Sequence, residues 1–108
     1  MKKILLKDFI FQGRVKDHDS IRDKLLSEID KTNFTTIERK PGSIDSISRL
    51  DWNWATDKDR IWVKLFEEHF YGAIEDFLSL TPYMSIELVE MWFQQYVKCD
   101  MHNWHTHG

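Results

Sequence analysis

Apolar residues recur along this chain with two different periods. From Ser20 to about Lys31, Ile21, Leu25, Leu26 and Ile29 stand at helical spacing, and Arg22, Lys24, Glu28 and Asp30 take the opposite side. That pattern predicts an amphipathic helix. Ser20, with Asp23 three residues on, gives it a capping-box-like start in which Asp replaces the usual Glu. A longer helix is predicted over about 57–80. Ile61, Trp62, Leu65, Phe66, Phe70, Ile74, Phe77 and Leu78 form its broad apolar stripe. Thr56 serves as its N-cap, with Asp57 and Asp59 at the positive end of the dipole. Gly72 costs about 1 kcal/mol relative to Ala and allows a bend, and Thr81-Pro82 closes the helix.

The other apolar runs follow the strand period. Residues 3–15 read as one extended segment, an edge strand. Phe34–Arg39 reads as a short strand, Pro41-Gly42-Ser43 as a turn, and Ser43–Ser48 as a loop or a poor strand carrying Ile44 and Ile47. Asp51-Trp52-Asn53-Trp54 sets two indoles beside an acid and an amide. From about Ile86 to Cys99 the β-formers dominate. Val89, Met91, Phe93 and Val97 lie on one face, and Leu88, Trp92 and Tyr96 on the other. A strand apolar on both faces belongs inside a sheet. Trp62 and Trp92 are therefore assigned to the core. The order β-α-(β)-α-β predicts an α+β fold with two amphipathic helices packed on a sheet. The organisation expected is a single domain or domain fragment, with a largely helical part over 1–83 and the long strand plus its histidines over 84–108.

Composition narrows the class. The chain has 108 residues, enough for one domain. With 42% hydrophobic and 14% aromatic residues it has the material for a packed core. The formal charge of −3 and the lack of a basic block argue against a nucleic-acid partner. One cysteine, Cys99, excludes an internal disulfide and suits a reducing compartment. Ile4-Leu5-Leu6 is too short for a signal-peptide core, and no stretch approaches the roughly 18 apolar residues of a membrane span. The expected setting is cytoplasmic, with no membrane partner.

The chemistry concentrates at the end, in Met101-His102-Asn103-Trp104-His105-Thr106-His107-Gly108. On an extended segment His105 and His107 share a face, and two imidazoles on one strand face can chelate one transition-metal ion. The opposing reading is a solvated tail that binds nothing. Trp104 alternates to the face opposite His105 and is expected to pack beneath the site. His18 and His69 read as surface residues.

Reading back from His105, His102 stands at −3, Cys99 at −6 and Tyr96 at −9, with Gln95 just before it. The run from Trp92 to His107 resembles the segment around the first metal-ligand motif of the 2-oxoglutarate/Fe(II)-dependent oxygenases. The prolyl-4-hydroxylase-like branch is similar, and uncharacterised members from phages and marine bacteria are more so. Asp51-Trp52 and the helical N-terminal half also resemble that group. The resemblance implies a sheet that is the first part of a double-stranded β-helix, or jelly roll. It implies Fe(II) and 2-oxoglutarate as cofactors and hydroxylation of a small-molecule or peptide substrate. It makes His105 the first metal ligand and puts His107 where the prolyl hydroxylases have a carboxylate. Tyr96 becomes a co-substrate contact and His102 an auxiliary at a second tyrosine position.

Two departures accompany the match. His107 stands in place of an acid, so a three-His site, or Asp100 or a water completing the sphere, replaces the usual facial triad. Cys99 stands where the family has a turn Gly, which bears on the turn conformation. The family's second His and its 2-oxoglutarate-binding basic residue lie further along than Gly108. The chain is thus expected to be the N-terminal portion of such an enzyme, with little turnover alone, or a domain that pairs with another chain. A cupin-like His-x-His site, a Cys99 thiol nucleophile, a small non-enzymatic interaction or metal-binding domain, and a homo-oligomer that builds the site between copies are the other readings.

Overall fold

The N-terminal segment folds back on itself instead of running on as one strand. In the computed structural model, which describes residues 2–5 and 9–105, β1 (Lys2–Leu5) pairs antiparallel with β2 (Phe9–Gln12), setting Ile4 opposite Ile10. Alternation alone does not distinguish one long strand from two short ones. The polar pair Lys7-Asp8 between the two apolar runs was the available signal. The chain divides into two units, residues 1–31 with 59–89 and residues 32–58 with 90–108.

The first unit holds both helices. Helix α1 (His18–Asp30) starts earlier than its capping-box signal suggests. Its N-cap is Asp17, in the left-handed region at φ 58° and without a side-chain cap bond. The Ser20 hydroxyl donates 2.8 Å back to the Asp17 carbonyl, so it does not serve as the cap. Ile21 is buried, whereas Leu26 is exposed. Helix α2 (Ile61–Ser79) starts later than its signal, with Arg60 and not Thr56 as N-cap. Residues 55–60 are spent on turns, one of them closed by the Asp57 N–H on the Trp54 carbonyl at 2.9 Å. The buried residues of α2 are Trp62, Val63 and Leu65, while Ile61 is 65% exposed. The helix runs through Gly72 without a break and ends before Thr81-Pro82, as the sequence predicts. Phe77 near its end meets Phe11 of β2 edge-on at 5.1 Å and stacks with Tyr83 at 6.2 Å. This aromatic cluster joins the hairpin to α2.

The second unit is an antiparallel sheet of order β3-β4-β5: β3 (Thr35–Ile37), β4 (Ile47–Leu50) and β5 (Gln94–Gln95). Lys40-Pro41-Gly42-Ser43 closes as a turn between β3 and β4, with the Ser43 N–H on the Lys40 carbonyl at 3.0 Å. Pro at its second position and Gly42 at φ 81° in its third are the type II arrangement. Ile47 and Leu50 of β4 are buried. A single 3-10 turn, Trp52–Trp54, follows β4.

The long strand expected over Ile86–Cys99 is replaced by a two-residue strand, β5. Ile86 and Val89 are exposed, as are Tyr96 and Val97, so the two-faced apolar pattern is not that of an interior strand here. The segment still follows β4 and its extension. The Met91 N–H donates to the Ala55 carbonyl at 2.9 Å, and Leu50 and Arg49 pair with Gln94 and Gln95. Over the described residues the fold is α+β, with two helices, a three-stranded antiparallel sheet and a hairpin. Among the described residues no helix is long and apolar enough to cross a membrane.

Candidate functional site

Asp51 is the deepest polar group of the second unit. It is fully buried although no motif marked it as such, and its Oδ1 accepts the Phe93 N–H at 2.8 Å. Its own N–H reaches the Phe93 carbonyl at 3.4 Å, and its carbonyl accepts the Trp54 N–H at 2.9 Å. A side-chain oxygen thus takes the place of a ladder carbonyl just past the end of β4. This holds residues 91–95 beside the 3-10 turn, and Trp52 packs edge-on against Trp92 at 4.5 Å and 89°.

Beyond β5 the two sides of the ladder fall out of step. Arg49 pairs with Gln95 and Ser46 with Met101. Two residues therefore face five. The surplus leaves the ladder as the turn Val97–Asp100, closed by the Asp100 N–H on the Val97 carbonyl at 2.9 Å. Cys99, its third residue, has φ 74°. The turn adopts the glycine-type conformation with cysteine in it, which answers the doubt its sequence raised. Cys99 is exposed, and its carbonyl accepts Arg39 Nη2 at 2.7 Å.

The Asp100 carboxylate fills the gap that the turn opens. Its Oδ2 accepts from the Val97 N–H (2.8 Å), the Ser48 hydroxyl (2.7 Å) and the Ser48 N–H (3.1 Å), and its Oδ1 from the Ser46 hydroxyl (2.8 Å). The Val97 N–H first, then the Ser48 and Ser46 hydroxyls, hold its carboxyl below the usual carboxylate range. Both oxygens of Asp100 are thus engaged, by Ser46 and Ser48 on one side and by its own turn on the other.

The histidines follow directly. Met101 re-enters the ladder opposite Ser46, and the Asn103 N–H donates to Asp45 Oδ1 at 2.7 Å. The His105 Nδ1 lies 2.9 Å from the Asn103 carbonyl. An oxygen there requires the tautomer with the proton on Nδ1, assigned from this contact, and puts the lone pair on Nε2. His102 and His105 stack face to face at 4.0 Å and 15°. Parallel rings send their in-plane lone pairs side by side rather than to one point. As placed, the two rings do not aim at a common point.

The Tyr96 hydroxyl donates to Gln94 Oε1 at 2.6 Å and lies 3.5 Å from His102 Nδ1. Gln94, His102 and His105 line a concavity of about 340 Å³ together with Ile47, Leu50, Trp52 and Trp92. Tyr96, His102 and His105 are thus gathered at one place, and the Trp52–Trp92 pair is part of it, a contribution that Asp51-Trp52 signalled only by resemblance. Trp104 is 99% exposed and does not pack beneath the site. With no residue sandwiching it, alternation sends it to water. Trp62 is buried as expected, whereas Trp92 is half-buried. His107 lies outside the described residues. Among the described residues no group of three His, Cys, Asp or Glu is placed to hold a metal. Comparison of the chain with protein-family models, with curated proteins and with solved structures finds no match.

Proposed function

We propose that this chain carries the first metal-ligand limb of a 2-oxoglutarate/Fe(II)-dependent oxygenase, on strands that begin its jelly roll. His105 and His107 are the ligands in this reading, Tyr96 and His102 the co-substrate contacts. The observation that supports it is the Nδ1 contact of His105 with the Asn103 carbonyl at 2.9 Å. Metal-ligating histidines commonly donate their other N–H to a backbone carbonyl, which fixes the tautomer, orients the ring and makes the ligating nitrogen more basic. A neutral imidazole with its lone pair on Nε2 is the donor that Fe(II) and its neighbours in the first transition row accept.

The other residues fit the same use. His102, stacked on His105, limits rotation of that ring. Tyr96, bonded to Gln94, presents a hydroxyl beside His102. Ile47, Leu50, Trp52 and Trp92 give the concavity an apolar lining that keeps water from part of the site. Bound by such a set, Fe(II) with 2-oxoglutarate supplies oxygen activation and hydroxylation of a substrate.

Anaerobic calorimetric titration with Fe(II), repeated with Co(II), tests the reading. His105→Ala and His107→Ala should each weaken binding by at least about tenfold, since even an outer-sphere partner of a ligand is worth that much. Unchanged affinity in His105→Ala overturns it.

A further inference from the structure

We propose that Asp100 is a positioning residue, which sets His102 and His105 through hydrogen bonds to β4 and never touches the metal itself. The metal arm of this inference rests on the reading of His105 as a ligand, and the geometric arm does not.

The physical problem is the surplus in the ladder. Between Gln95 and Met101 lie five residues, against two between Ser46 and Arg49. Where the surplus loops out, β4 loses the carbonyls that would have accepted its donors, and a backbone N–H left without an acceptor is costly. Asp100 supplies the missing oxygens. The Ser48 N–H and the Ser48 and Ser46 hydroxyls point to its carboxylate, and the Val97 N–H ties the same carboxylate to its own turn. Arg39 pins the turn from a further side, on the Cys99 carbonyl.

The pinning decides where the histidines fall. Met101 rejoins the ladder one residue after Asp100, with N–H to carbonyl contacts to Ser46 of 3.0 and 2.7 Å in the two directions. Asn103 is then fixed on Asp45, and the Asn103 carbonyl orients His105. Side chains alternate faces along a strand, so a slip of a single residue in this register sends His102 to the opposite face. A slip also moves it by about 3.3 Å along the strand. Either displacement carries both histidines together away from Ile47, Leu50, Trp52 and Trp92, with which they line the concavity. The carboxylate that absorbs the surplus is therefore what holds the register of the site.

Hydrogen-bond chemistry separates a positioning role for Asp100 from that of a metal ligand. In Asp100→Asn the amide oxygen takes the place of Oδ2 and accepts from the Ser48 and Val97 N–H groups. The amide nitrogen takes the place of Oδ1 and donates to the Ser46 hydroxyl, which rotates to accept. The clamp survives this change, whereas a carboxylate ligand does not. Asp100→Ala removes the clamp altogether.

The experiment uses the full chain, with proton spectra of the histidine ring hydrogens and titration with Co(II). Both rings line the concavity with Trp52 and Trp92 and should give ring-current-displaced signals. Asp100→Ala should lose that displacement and weaken Co(II) binding about 10–100-fold, the usual effect of losing a partner that orients a ligand. Asp100→Asn should keep both. If Asp100→Asn loses Co(II) as severely as Asp100→Ala, the carboxylate is a ligand and the inference is overturned. It is equally overturned if Asp100→Ala leaves the histidine signals in place. Should Asp100→Ala fail to fold, Ser46→Ala with Ser48→Ala decides. That variant keeps the two N–H donors and should move the ring signals part of the way, and unmoved signals count against the clamp. If the wild type does not bind Co(II), or His105→Ala binds as the wild type does, the metal reading fails. The ring signals still decide the role of Asp100.

Discussion

Replacing Asp51 by Ala should destabilise the chain by about 2–3 kcal/mol. The side chain is fully buried, and its Oδ1 is 2.8 Å from the Phe93 N–H that it accepts. A hydrogen bond to a carboxylate is worth roughly 1.5–3 kcal/mol, and the orphaned N–H carries a desolvation cost within the same range. These two descriptions cover one interaction and are not added. A small void from the lost carboxyl places the total toward the upper end. A domain of this size has a stability of about 5–15 kcal/mol, so the change removes a substantial share. Urea unfolding followed by tryptophan fluorescence should show a lower midpoint at unchanged slope. The melting temperature should fall by roughly 10 °C. The effect should also be local. The Phe93 amide should exchange its hydrogen faster, because Asp51 Oδ1 is the acceptor of its N–H. A variant within about 0.5 kcal/mol of wild type, the range of surface changes, would refute the argument that this carboxylate stands in for a ladder carbonyl.

Three further outcomes follow from the same geometry. Cys99→Gly should raise stability by up to about 1 kcal/mol in urea unfolding, because φ 74° strains a residue with a Cβ and suits glycine; a loss of stability would contradict the turn assignment. Gly72→Ala should stabilise α2 by about 0.5–1 kcal/mol, since a Cβ built there meets nothing within 4 Å, and calorimetry showing a lower melting temperature would count against an unbroken helix. The carboxyl of Asp100 is held below its usual range by hydrogen bonds to its charged form, so its contribution is full above the unfolded value near 3.9 and is lost as pH falls through the lower folded value. Unfolding free energy measured from pH 5 to pH 2 should therefore decline less steeply in Asp100→Asn than in wild type, and parallel profiles would remove Asp100 from the acid response.

Both helices were readable from local information. The helical period of Ile21 to Ile29 and of Trp62 to Leu78 places α1 and α2, and Thr81-Pro82 ends α2 wherever the rest of the chain lies. The Lys40–Ser43 turn was readable for the same reason, because Pro41 and Gly42 carry their own dihedral preferences. Helix starts were less secure. Thr56 and Ser20 are good caps in isolation, but the turns before Arg60 and the left-handed Asp17 took those positions. The histidine cluster, Tyr96 and the acid–indole pair were visible as residues, and the resemblance they carry named a chemistry.

What no local pattern contains is register. Residues 86–99 have strand composition along their whole length, yet ladder pairing forms only where β4 is opposite, at Gln94–Gln95. Nothing in the sequence around Asp51 and Asp100 shows which backbone donors their carboxylates accept from. Their importance comes from donors 42 and 52 residues distant in the chain, on Phe93 and Ser48. The place of His102 and His105 beside Trp52 and Trp92 likewise follows from how the surplus residues of the Val97–Asp100 turn are absorbed. Sequence alone determined which residues are able to do chemistry and which segments are helical, because both are properties of residues a few positions apart. Tertiary structure decided which acid is buried, which carboxylate closes the turn, and where His102 and His105 sit beside Trp52 and Trp92, because these depend on partners that only folding brings together.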